Sequence, residues 1–133
     1  MSQNKPIILL DPYPRTMDLL FSKENLKYLK KNFKLITAPN KNKNNFYEKN
    51  LSKADYIFGQ PNLPSSLISK STKLKAIFNV ESNFMDNMDY DYCFRKGIHV
   101  LATSPVFAQP VAEMAMGLTL SIARSIHTVS YTH

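Results

Sequence analysis

Short apolar runs and amphipathic stretches alternate along the chain. Ile7-Ile8-Leu9-Leu10 is a β-branched and aliphatic run, closed by Asp11-Pro12-Tyr13-Pro14, whose prolines forbid continuation of strand or helix. Ser22 is placed to cap a helix with Glu24 in its first turn, and Leu26, Leu29 and Phe33 form a stripe at helical spacing. Lys34 to Ala38 reads as a second strand stopped by Pro39, and the polar stretch Asn40 to Asn45 leads into a short helix around Phe46 to Leu51. Ala54 to Gly59 is a third strand, with Gly59 free to take the positive φ of a tight exit turn. Ser65 or Ser66 opens another short helix ending near Lys70, and Leu74 to Val80 is a fourth strand. Asp89 to Lys96 reads as a helix terminated by Gly97, followed by a fifth strand, Ile98 to Ala102.

These strands are continuous apolar runs rather than alternations, as expected of strands covered on both faces, and the helices between them imply parallel crossovers. The predicted fold is therefore α/β: a five-stranded, doubly wound, flavodoxin-like parallel sheet. Ligands in such sheets lie beyond the carboxyl ends of the strands, here Asp11–Arg15, Gly59–Pro64, Val80–Asp86 and Thr103–Gln109. The sixth element departs from the pattern. Pro110 suits the first turn of a helix running to about Ile126, about 17 residues and ~26 Å long at 1.5 Å per residue. Val111, Met114, Met116, Leu118, Leu120, Ile122 and their neighbours surround almost its whole circumference. A helix apolar all round needs cover all round, so a buried helix is expected, with one face on the sheet and the other against a further domain or subunit. It is short for a membrane span and carries Glu113 and Arg124; no membrane association is expected.

Composition narrows the chemistry. The 133 residues include 1 Cys and 3 Gly, which excludes a disulfide framework and a Cys-rich zinc site. Gly59, Gly97 and Gly117 are too far apart to build a phosphate-cradling loop, so no nucleotide fingerprint is present. The formal net charge is +7. Residues 1–75 hold 14 Lys+Arg against 5 Asp+Glu, but 13 of those cations are Lys scattered among Asn. Nucleic-acid surfaces also use Arg for bidentate contacts, so no nucleic-acid partner is expected. The N-terminus runs from Met1 to Pro6 into the first strand without a cleavage-site pattern, and a cytoplasmic protein is expected.

Taken singly, the reactive side chains carry little. His99 lies in a strand and reads as a packed core or edge histidine. Cys93 reads as buried and inert. Asp86, Asp89 and Asp91 are placed to start the following helix, and no metal site is expected. Asp11 lacks the partner carboxylate of a phosphoacceptor site, and the third strand ends in Gly59-Gln60 where such a site needs an aspartate.

The combination is more specific. Leu74-Lys75-Ala76-Ile77, the loop leading to Asp86-Asn87-Met88-Asp89, Gly97-Ile98-His99-Val100, Thr103-Ser104-Pro105, and Val111-Ala112-Glu113-Met114-Ala115 through Ala123-Arg124 follow one another at family-like spacing. In that order the chain closely resembles the D-isomer-specific 2-hydroxyacid dehydrogenases. The resemblance implies a two-domain oxidoreductase whose substrate domain is split in sequence. NAD or NADP would be held by a separate Rossmann domain, and the substrate would be a small 2-hydroxy or 2-keto acid in a homodimeric enzyme. The catalytic Arg, Glu and His of the family, and its cofactor loop, would lie beyond this chain, leaving no catalytic residue in it. By the same resemblance the substrate loop is Asn79, Val80, Glu81, Ser82 and Asn83, and Ser104, Phe107 and Gln109 approach the cleft. The loop departs from the family pattern in lacking glycine, in one extra residue, and in Glu81, a carboxylate where an anion would approach.

The expected organisation is a substrate-domain segment over 1–108, an interdomain or dimerisation helix over 109–126, and a non-native or frayed tail over 127–133, where Val129 to His133 continue neither helix nor family pattern. The chain would then be a fragment, inactive alone. The competing reading is a free-standing flavodoxin-like module that dimerises through helix 109–126.

Overall fold

The computed structural model describes residues 5–81 and 83–126; the expected tail at 127–133 lies outside them. The chain divides into two compact units, Met1–Ala102 and Thr103–His133.

The first unit runs β1 (Ile7–Asp11), α1 (Met17–Leu20), α2 (Lys23–Asn32), β2 (Lys34–Thr37), α3 (Lys43–Asn50), a 3-10 turn (Leu51–Lys53), β3 (Tyr56–Gly59), α4 (Ser65–Ile68), β4 (Ala76–Phe78), α5 (Tyr90–Arg95) and β5 (His99–Leu101). The strands form one parallel sheet in the order β2-β1-β3-β4-β5, the flavodoxin-like arrangement expected of apolar runs separated by helices. Register builds the core. Ile36, Leu9, Ile57, Ile77 and Val100 pair in one row across all five strands. Leu9, Ile57 and Ile77 are fully buried with Leu51, Leu63, Ile68 and Cys93, each large side chain contributing about 1.5–3 kcal/mol.

The residues between them point to the opposite face, which is aromatic. Tyr56, Phe58 and Phe78 line it, with the Phe58 and Phe78 rings stacked at 6.2 Å and Phe21 against Phe58 at 4.9 Å. Leu29 of α2 and Phe33, its C-cap, join them around an apolar groove of about 400 Å³. Phe78 and Leu101, further along the sheet, stay 36% and 47% exposed.

Local signals set the helix ends. Ser22 Oγ accepts the Asn25 N–H at 3.2 Å, and Asp89 Oδ1 accepts the Tyr92 N–H at 2.8 Å. Gly97, at φ +70°, ends α5: its N–H donates to the Phe94 carbonyl and that of Ile98 to the Cys93 carbonyl, the paired bonds of a left-handed C-terminal cap. Cys93 is buried, which pushes its thiol pKa up, with the Asp89 charge adding to the effect. His99 is exposed on the edge strand β5. Two features differ from expectation. Helix α3 starts at Lys43 rather than Phe46, because Asn42 takes a left-handed φ of 58° and turns the chain early. Helix α1, four residues long, is too short to show a period.

The second unit contains α6 (Ser104–Ala123). The expected start at Pro110 is corrected: Pro105 occupies the first turn, where its missing N–H costs nothing, and Pro110 lies inside the helix. The same rule fits both prolines, and the earlier one wins. None of the helix residues is buried, since a single helix has no second layer within its own unit. At 20 residues and a mean hydropathy of 1.3 it is long and apolar enough, by those two measures alone, to cross a membrane.

Two glycine substitutions should separate backbone strain from crowding. A Cβ at Gly97 meets nothing within 4 Å, so Gly97→Ala should cost only the left-handed backbone, about 1–2 kcal/mol. A Cβ at Gly59 (φ +153°) would lie 2.9 Å from Asp11 Cβ and closer still to the Asp11 carbonyl oxygen. Gly59→Ala should therefore lower the denaturant midpoint more than Gly97→Ala; equal losses would contradict this account.

Candidate functional site

The sheet order reverses direction between β1 and β3, and the crevice beyond that switch point is where open α/β sheets hold ligands. The last pair in the β1–β3 register is Asp11 with Gly59. Asp11 is 4% exposed, and a carboxylate taken out of water needs charge and hydrogen-bond partners. It has both from α3: Lys43 Nζ lies 2.6 Å from Oδ1, and the Tyr47 hydroxyl donates to Oδ2 at 3.2 Å. Lys43 also lies over the Tyr13 ring at 4.8 Å. Burial, then the Asp11 charge and hydrogen bond, raise the Tyr47 pKa well above the ordinary 10.0. The phenol stays neutral and donating.

Three loops converge beyond the strand ends. The turn after β1 closes by the Arg15 N–H donating to the Pro12 carbonyl at 2.7 Å. It delivers the Arg15 guanidinium to Glu81 in the loop after β4, with Nε to Oε1 at 3.0 Å and Nη2 to Oε2 at 3.4 Å. Gln60, which follows β3, stands between. Its Oε1 accepts the Glu81 N–H at 3.1 Å and its Nε2 donates to the Asn83 carbonyl at 3.0 Å. The remainder of the loop is braced. Asn87 Nδ2 donates to the Pro61 carbonyl at 2.7 Å, and Leu63 and Met88 form a parallel bridge. The Tyr90 hydroxyl donates to the Met85 carbonyl at 2.6 Å and accepts the Met85 N–H at 3.1 Å. Burial raises the Tyr90 pKa, so this brace also stays protonated.

The structure brings Asn79, Val80, Glu81 and Asn83 together on this edge; Ser82 lies outside the described residues. Asn79 is 3% exposed, and among the described residues neither its Nδ2 nor its Oδ1 has a partner. Its backbone N–H donates to the Leu101 carbonyl at 2.8 Å. Val80 and Glu81 are half-buried and Asn83 is exposed. Ser104, Phe107 and Gln109, expected in a loop, stand instead in the first turns of α6 in the second unit, all exposed, with Gln109 Nε2 donating to Glu113 at 2.8 Å. Sequence reasoning missed Lys43, and it marked Arg15 and Gln60 only as members of the segments Asp11–Arg15 and Gly59–Pro64 beyond the strand ends, without a role for either. Among the described residues no three His, Cys, Asp or Glu gather as a metal cluster.

An open parallel sheet with a braced polar loop cluster at its carboxyl edge defines an α/β domain of the doubly wound class, with a candidate ligand site at the switch point. The sequence profile of the D-isomer-specific 2-hydroxyacid dehydrogenase catalytic domain matches residues 15–133, and the chain belongs to that family. It is similar to a phosphoglycerate oxidoreductase from Rhizobium etli, at 39% identity and a TM-score of 0.73, over 92% of this chain and 38% of that one. A protein from Pyrococcus horikoshii OT3 shares the fold at 21% identity and a TM-score of 0.69, over 95% of this chain and 36% of that one. So does an NAD⁺-bound 3-phosphoglycerate dehydrogenase of Entamoeba histolytica, at 19% identity and 0.64, over 88% and 39%. The chain thus spans well under half the length of these relatives. No curated protein sequence matches it.

Removing Lys43 would leave Asp11 charged, buried and without its cation. Lys43→Met should cost about 2–3 kcal/mol, below the fully buried range because Lys43 is 31% exposed. Tyr47→Phe should cost about 1 kcal/mol. The raised Tyr47 pKa gives a sign. The native phenol keeps its proton where the unfolded one, near 10.0, loses it. The stabilisation is complete below pH 10 and falls as pH rises above it. Denaturation of wild type and Tyr47→Phe across that range checks this: the variant should lose less stability at alkaline pH.

Proposed function

We propose that the chain is the substrate-binding part of an NAD- or NADP-dependent D-2-hydroxyacid dehydrogenase, which transfers a hydride between the nicotinamide and C2 of a small 2-hydroxy or 2-keto acid. The convergence of the loops after β1, β3 and β4 on one spot carries this reading, in a chain whose family profile covers residues 15–133. Asn79 to Asn83 would hold the acid, and Ser104, Phe107 and Gln109 would line the cleft towards the nucleotide-binding domain. The unpartnered buried carboxamide of Asn79 supports a polar ligand or bridging group at this edge, because leaving it empty costs about 1–3 kcal/mol.

The described residues do not fit a dinucleotide. Gly59 packs on Asp11, Gly97 caps α5 and Gly117 lies within α6, so no glycine is left for a phosphate cradle. By the family resemblance the cofactor, the general acid/base and the carbonyl-polarising Arg would belong to the nucleotide-binding domain, and this chain's share would be to bind and orient the acid. In this reading the unit ending at Ala102 is the substrate-domain segment, and α6, Ser104–Ala123, is the interdomain helix of a cytoplasmic homodimer.

The purified chain should show no NADH oxidation with glyoxylate, pyruvate or hydroxypyruvate. The same residues joined to a nucleotide-binding half of the family should turn over at least one of these acids. Turnover by the chain alone, or none by the joined protein with any 2-keto acid, would overturn the assignment.

A further inference from the structure

We propose that Arg15 is an oxyanion anchor of this substrate edge and that the Glu81 carboxylate is its internal, exchangeable occupant: an acid binds by displacing Glu81 from the Arg15 guanidinium. The inference rests on the substrate-domain reading above and assigns Arg15 a role that neither the loop resemblance nor the fold supplies.

The position is the first ground. Strands β1 and β4 are not neighbours, since β3 lies between them. Arg15 therefore reaches across the end of β3 to meet Glu81, over the crevice beyond the carboxyl ends. The pairing is the second. Nε and Nη2 face Oε1 and Oε2 at 3.0 and 3.4 Å, the fork that a guanidinium offers to any carboxylate or phosphate. Glu81 thus shows where a ligand oxyanion would sit. Accessibility is the third. The two side chains are 52% and 28% exposed, and an ion pair this open to water is weak and readily exchanged.

Two further contacts make exchange possible without unfolding the loop. The Glu81 backbone is held separately by Gln60, which also holds the Asn83 carbonyl, so the side chain can leave while the loop keeps its shape. Lys43, the cation at the end of β1, is committed to Asp11. The backbone N–H groups of Asn79 and Glu81 are committed too, to Leu101 and Gln60. Among the described residues that leaves the Arg15 fork as the charged donor for an incoming anion, beside the neutral, unpartnered carboxamide of Asn79. The ligand is a small organic acid, and the group engaged is its carboxylate or, in a phosphorylated acid, its phosphate.

The test follows the Arg15 Nε–Hε resonance of the 133-residue chain by NMR during titration with D-glycerate, 3-phosphoglycerate and the uncharged lactamide. Both acids should shift it saturably and lactamide should not. Equal binding of the two acids assigns the carboxylate, and a preference for 3-phosphoglycerate assigns the phosphate. Glu81→Gln should tighten acid binding about fivefold, the effect of removing one unit charge about 4 Å away in water. Arg15→Gln, followed through the backbone amides of the loop, should abolish it. Acid binding unchanged in Arg15→Gln, weakened or unchanged in Glu81→Gln, or absent from every variant would overturn the proposal. The substrate-domain reading falls separately, by the turnover assay of the joined protein, so failure of the Arg15 arms with turnover intact removes this role alone.

Discussion

The arrangement of the carboxyl edge depends on one buried charge. Asp11 ends the central strand β1 at 4% exposure, and nothing in the row of Leu9, Ile57 and Ile77 beside it can solvate a carboxylate. Its partners come from one helix, with Lys43 at the first position of α3 and Tyr47 one turn on. For Lys43 to begin that helix, Asn42 takes a left-handed conformation, which asparagine tolerates better than most residues. On the other side β3 approaches so closely that only glycine fits at position 59. The ends of β1 and β3 and the start of α3 are thus locked into one joint. The turn carrying Arg15 leaves that joint from Asp11, and Gln60 leaves it from Gly59. Their meeting with Glu81 follows from where the joint holds them.

The two faces of the sheet are unequal for a related reason. The 3-10 turn and helices α3, α4 and α5 supply Tyr47, Leu51, Ile68 and Cys93 to the face that carries Leu9, Ile57 and Ile77. The opposite face has α2 beside β1 and an aromatic ladder along β3 and β4. Parallel sheets are ordinarily buried on both sides, and here Phe78 and Leu101 remain partly in water. Phe21 covers that face at Phe58 of β3, the strand next to β1. The loops of the site spring from strands braced on both sides at β1 and on one side at β4.

Much of the fold was legible because its signals are local. Each strand carries at least two consecutive apolar residues, and Ser22, Asp89 and Gly97 act on residues three positions away. Where two residues satisfy one rule, the rule cannot choose: Pro105 and Pro110 both suit a helix start, and the helix uses the first. The site was legible through resemblance and hardly at all through spacing. Asp11 and Lys43 lie 32 residues apart and Arg15 and Glu81 lie 66 apart. No periodicity links such pairs; the sheet order does, by placing the exits of β1, β3 and β4 side by side.

That placement also bears on the loop after β4, which we propose holds the substrate and which has no glycine. A glycine-bearing loop offers bare backbone amides to an anion, whereas this one carries a carboxylate of its own and turns it onto Arg15. The loop does not need that contact for its shape, because Gln60, Asn87 and Tyr90 hold its backbone at three points. A side chain so placed, with its backbone secured and its charge matched by a fork open to solvent, satisfies the cation while no ligand is bound and still leaves it within reach. Binding at such an edge is an exchange of one carboxylate for another. Discrimination then comes from charge before shape, since a neutral molecule that displaced Glu81 would leave the guanidinium without its anion.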